Sequence, residues 1–278
     1  MTLPIRLLGS TPNPGWAGCL ATVALFVAMI GIPPPSALAQ TTDPHAVQPE
    51  RPTVATHAGT VAPGWIEVES GVELDRFPDD SRGTTLSVVT KVGLQSHVQL
   101  SVFGLAVHPP DGSLGVGDMA LGVKWRVADQ APVLGRFAVL PSVKFPTGSA
   151  SAGTGTDTTD AGVLLISSHD VGTASLDVNV GYTHRSGGGS TVPSNSTLWA
   201  IALGGPAVGR LGWAAEVYGL PATSGPAGQD TIVAVLLGPT FQVRPWLVFD
   251  AGAIVPVTGP QPHAAYVGGV WNIGRLLQ

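Results

Sequence analysis

Ala174-Ser175-Leu176-Asp177-Val178-Asn179-Val180-Gly181-Tyr182 alternates apolar and polar side chains without a break. Successive side chains of a strand point to opposite faces. Ala174, Leu176, Val178, Val180 and Tyr182 therefore form an apolar face, and Ser175, Asp177, Asn179 and Gly181 a polar one. Gly117 to Val127 reads the same way, with Met119, Leu121, Val123, Trp125 and Val127 against Asp118, Ala120, Gly122, Lys124 and Arg126. Arg136 to Phe145 sets Phe137, Val139, Val143 and Phe145 against Arg136, Ala138, Leu140, Ser142 and Lys144. Pro141 has no N–H to give to a ladder, so a bulge or a local break is expected there.

Outward from these three, runs near 64–74, 83–93, 95–108, 115–127, 133–145, 157–168, 173–184, 196–207, 210–220, 229–242, 245–257 and 262–274 predict about twelve strands. Each matches the roughly 9–11 residues that a tilted strand needs to cross a bilayer. Ten or fourteen strands also fit the boundaries. The connections are unequal: Thr147 to Thr156 and Ser186 to Ser190 are long, and Val208-Gly209-Arg210 is tight. Such inequality is expected of a barrel with an outer and a periplasmic end.

Composition agrees. Only 11% of the 278 residues are charged, against roughly 25% in soluble domains. The chain carries 37 glycines and 25 prolines, which disfavour helix. No run after the N-terminus approaches the ~18 apolar residues of a membrane helix. An antiparallel transmembrane β-barrel has this composition because half of its strand residues face hydrocarbon. The net charge of −5 with no basic run argues against nucleic acid as a partner. The single cysteine, Cys19, offers no disulfide and no thiol site to a processed chain.

Residues 1–39 read as a signal peptide, with Arg6 in the basic region, Trp16 to Ile32 apolar, and Ala37-Leu38-Ala39 as the small-residue cleavage site. An uncleaved anchor is disfavoured by Pro33-Pro34-Pro35, and a lipoprotein by the position of Cys19 at the start of the apolar run. Residues 40–61 are polar and proline-rich, too poor in large apolar groups to build a core, and are expected to be a flexible periplasmic lead-in. Its histidines, His45 and His57, are expected to be solvated. Residues 62–278 would form the barrel.

Gly115-Val116-Gly117-Asp118 with Leu121-Gly122-Val123-Lys124-Trp125-Arg126, and Pro141-Ser142-Val143-Lys144-Phe145-Pro146-Thr147-Gly148, resemble the outer-membrane transporter family named for the MetA pathway of phenol degradation. The resemblance covers about Gly64 to Gln278. It implies an outer-membrane channel for small, aromatic or hydrophobic compounds and supplies no catalytic residues. Tyr266-Val267-Gly268-Gly269-Val270-Trp271-Asn272-Ile273 is similar to the C-terminal signal read by the barrel-assembly machinery, although the chain runs on to Gln278.

The polar faces collect Lys91, Lys124, Arg126, Arg136 and Lys144 against Asp118, Asp177, Glu216 and Asp250. These are candidates to line a lumen and select solutes. They equally fit ion pairs between strands inside a narrow barrel.

Catalysis has weak support. Ser167-Ser168-His169-Asp170 places Ser168 and His169 on opposite faces, and His184 with Ser186 lacks a nucleophile elbow. Gly187-Gly188-Gly189 lacks the lysine and helix of a phosphate cradle, and His97, His108 and His263 lack metal-ligand spacing. No cofactor is called for. Trp65, Trp125, Trp199, Trp213, Trp246 and Trp271 suit interfacial girdles or, in a soluble sandwich, a core. The sequence thus favours an outer-membrane channel in contact with lipid and a small solute. A barrel with a structural role and a secreted β-sandwich are the rivals.

Overall fold

The computed structural model describes residues 43–186, 193–223 and 229–276. The leader expected over 1–39 and the Gly187-Gly188-Gly189 loop lie outside the described residues. The strands in chain order are β1 (Trp65–Arg76), β2 (Arg82–Gln95), β3 (Val98–His108), β4 (Gly115–Val116), β5 (Met119–Ala131), β6 (Gly135–Phe145) and β7 (Thr159–Val171). They continue as β8 (Ala174–Ser186), β9 (Asn195–Val208), β10 (Leu211–Leu220), β11 (Ile232–Arg244), β12 (Leu247–Thr258) and β13 (His263–Arg275). All are antiparallel to their neighbours. The pairing of β1 with both β2 and β13, together with β2–β3 and β3–β5, closes the sheet on itself.

Twelve strands cross, as the alternation predicts; β4 is a two-residue addition to the end of β3. The expected 115–127 run is therefore split. The Gly117 N–H donates to the Leu105 carbonyl at 2.8 Å, and β5 starts only at Met119. At Pro141 the outcome is a break without a bulge. The β5–β6 pairs run Gly122↔Ser142 and then Trp125↔Val139, skipping the positions between while the register holds. The register irregularities fall nearer the turn, between Arg126 and Ala131.

The two ends of the barrel differ. Turns of two or three residues join β2 to β3, β5 to β6, β7 to β8, β9 to β10 and β11 to β12, whereas the connections at the other end run from four residues upward. Outer-membrane barrels carry their short turns at the periplasmic end, and the asymmetry here is of that kind. Both β1 and β13 have their outer termini there.

The outward face is apolar and bare: Leu237 is 62% exposed, and Leu165, Ile201, Leu203, Val255 and Val267 are exposed with it. Away from the strand ends, the charged side chains fall on the inward set. A soluble sandwich would bury such an apolar face; a closed ladder with an apolar exterior fits lipid. Trp125, Trp213 and Trp271 lie toward the short-turn end, paired with Val98, Gly205 and Leu247, as in an interfacial girdle. Placing a charge in this belt should be costly. Leu237→Arg is expected to lower stability by about 2–4 kcal/mol in denaturant titration of the protein in lipid vesicles. Were the face merely solvated, the change would be near zero.

Candidate functional site in the barrel lumen

Residues 43–63 do not form a free lead-in. They are the main content of the lumen, which corrects the expectation drawn from their composition. The segment begins at the short-turn rim, where His45 stacks with Trp246 at 5.8 Å between ring centroids and lies 4.9 Å from Trp65. The His45 ring also bonds the Asn272 carbonyl at 3.0 Å, and the Val47 N–H donates to the Pro245 carbonyl at 2.9 Å. The chain then rises along β1, crosses the lumen to β10, β8 and β7, and returns to the same rim.

Most of the contacts are hydrogen bonds between the backbone of the segment and side chains of the wall. Glu67 and Glu69 accept the Gln48 and Glu50 N–H groups, each at 2.8 Å. Glu216 accepts from Val54 at 2.8 Å and from Ala55 at 2.6 Å. Asn179 treats Thr56 as a strand neighbour would, accepting its N–H at 2.8 Å and donating to its carbonyl at 2.9 Å. Ser168 accepts from Ala58 at 2.8 Å, and Gln99 from Val61 at 2.9 Å. Small side chains let the backbone come close. Ala55 packs among Ala200, Ala202, Ala234 and Ala264, and Ala58 beside Ala138 and Ile166. Near the return, a Cβ on Gly93 would overlap the Val61 and Ala62 carbonyls.

Charge fixes the near leg. Lys91, fully buried, lies 2.5 Å from both Glu67 and Glu69 and donates to the Gln48 carbonyl at 2.6 Å. Lys124, also fully buried, donates to Glu50 at 2.6 Å, to the His57 carbonyl at 2.8 Å and to Thr56 Oγ1 at 3.0 Å. Glu50 sits between the two ammonium groups, 3.8 Å from Lys91. Such a cluster tolerates burial only while each charge keeps its partner.

The expected lumen residues divide into three groups. Lys91, Lys124, Glu216 and Asp250 hold the segment directly, Asp250 through Arg51 at 3.0 Å, and Asp177 does so at one remove by accepting a hydrogen bond from the Ser168 hydroxyl. Asp118 and Lys144 pair at 2.6 Å toward the long-loop end, with Thr156 bonded to both and Asp160 and Arg185 adjoining. Arg126 pairs with Asp129 and Arg136 with Asp170 near the short turns. The sequence reading missed Glu67 and Glu69, although Glu67, Glu69, Glu73 and Asp75 alternate with Ile66, Val68, Val72 and Leu74 as clearly as any run. It also missed every residue of the segment itself. Ser167 bonds His169 at 2.9 Å, whereas Asp170 of the same run is committed to Arg136.

By sequence the chain matches no family model and no curated protein. By fold it is similar to an outer membrane channel from Pseudomonas putida F1, with a TM-score of 0.59 at 10% identity over 77% of this chain and 97% of that one. The KdgM porin aligns with a TM-score of 0.50 at 8% identity over 74% and 99% of the two chains. The NanC porin does so with a TM-score of 0.50 at 12% identity over 74% and 98%. The fold is that of outer-membrane channels and porins. Together with the apolar exterior, it makes this chain an outer-membrane barrel, and the solute class implied by the motif resemblance gains nothing from identities this low.

Two outcomes follow from the lumen geometry. Lys91→Met should destabilise the protein by about 3–5 kcal/mol, read by denaturant or thermal unfolding, because it strands Glu67 and Glu69 without their cation. Amide hydrogen exchange at Ala55, Thr56, Ala58 and Val61 should be slow. Exchange as fast as in an unstructured peptide would contradict the packing.

Proposed function

We propose that this protein is an outer-membrane channel for small molecules that rests in a closed state, with residues 43–61 as the occluding element. One observation carries the reading. The lumen is filled mainly by a segment outside the sheet, held by side chains and not by ladder bonds, and it leaves cavities of about 500 Å³ and about 240 Å³. A barrel with a purely structural role could fill its interior with wall side chains, as small barrels do.

The lining supports polar solutes over the aromatic ones that the phenol-pathway resemblance implies, since Arg51, Glu73, Asp177 and Asp250 face the cavities. Lys124 and its charged neighbours act here as the lock of the occluding segment, and Tyr266 to Ile273 as the signal to the barrel-assembly machinery. A structural role is favoured only by the strength of that lock.

Glu50→Lys is the direct test. It sets a third ammonium between Lys91 and Lys124 and should expel the segment, as read by proteolysis at Arg51. In planar bilayers, stepwise conductance is expected from this variant where the parent chain is quiet. A folded, inserted variant that has released its segment and stays silent would favour the structural role.

A further inference from the structure

Arg51 and Pro52 are the two residues common to the linings of both cavities. The larger cavity reaches the short-turn rim at Gly209 and Arg210. The smaller lies toward the long-loop side, bounded by Glu73, Thr85, Ser87, Ile254 and Tyr266. Between them stands the Arg51 guanidinium, which donates to Asp250 through Nη2 at 3.0 Å and Nε at 3.2 Å, and to Ser87 at 3.4 Å. A forked pair of this kind fixes orientation as well as charge.

The wall is shaped to seat it. A Cβ on Gly71 or on Gly268 would overlap the guanidinium, so two glycines on adjacent strands leave the slot that it fills. On either side of Arg51 the segment is anchored independently, by Lys124 and Glu69 at Glu50 and by Glu216 at Val54. Arg51 can therefore leave Asp250 while both anchors hold.

We propose that the Arg51–Asp250 pair is the gate and the charge filter of the channel. It closes the passage between the two cavities, and parting it joins them into one path with a fixed positive and a fixed negative charge at its narrowest point. The inference rests on the channel reading above and adds the residues that gate it. Fixed charge at a constriction sets ion preference, so removing either partner has a signed consequence.

The experiment compares the full chain, Arg51→Ala, Asp250→Ala and Glu50→Lys in planar bilayers under a potassium chloride gradient. Arg51→Ala leaves Asp250 alone in the passage and should conduct with cation preference. Asp250→Ala leaves Arg51 and should conduct with anion preference, so the two zero-current potentials have opposite signs. If both are quiet while Glu50→Lys conducts, or if both conduct with the same sign, the gate is elsewhere and the proposal fails. If Glu50→Lys is silent as well, the channel reading itself falls. Should either alanine variant not reach the folded fraction, Arg51→Gln and Asp250→Asn remove the same charge at nearly the same volume and are read in the same way.

Discussion

Glu50 between Lys91 and Lys124 is the contact on which the lumen depends. Closing the sheet turns one face of every strand inward, and a bare ammonium or carboxylate buried there is costly. The wall supplies two of the cations and several carboxylates, and the segment brings the missing anion. It also brings a run of backbone N–H groups for Glu67, Glu69 and Glu216. The exterior obeys the complementary rule: a ladder closed around the ring and apolar side chains outside suit hydrocarbon, with breaks such as the one at Pro141 confined to a few positions.

The barrel was legible because its physics is local. Alternation along Ala174 to Tyr182 or Met119 to Val127 is enough to assign a face to each residue, and twelve such runs appear at the expected places. The split at Gly117-Asp118 was not legible, since it follows from the Leu105 carbonyl capturing an amide from the neighbouring segment. The lumen segment misled for an instructive reason. A composition without large apolar groups argues against a hydrophobic core, yet its partners are Glu216, Asn179, Ser168 and Gln99, which bind backbone and ask nothing of the side chains they receive. Proline suits such a chain, because an extended strand that forms no ladder gives up little by losing an N–H. The clue available in the sequence was the surplus of inward carboxylates on β1.

The size of the barrel explains why the arrangement is needed. An eight-stranded wall can fill its interior with its own side chains, whereas a much wider one holds a column of water. Twelve strands fall between. The alanines and glycines of β9 to β13 widen the lumen further, and the single extended segment occupies the space that they leave without closing it completely.

The route of the segment bears on assembly. It goes in and comes out at the short-turn end, bent like a hairpin, and so never passes through the ring from one mouth to the other. The seam between β1 and β13 can therefore zip before or after the hairpin is seated, and the hairpin can be withdrawn without unzipping it. A strand threaded from mouth to mouth would be topologically captive. This one is held by chemistry alone, so its residence in the lumen is set by the strength of those contacts and not by the topology of the wall.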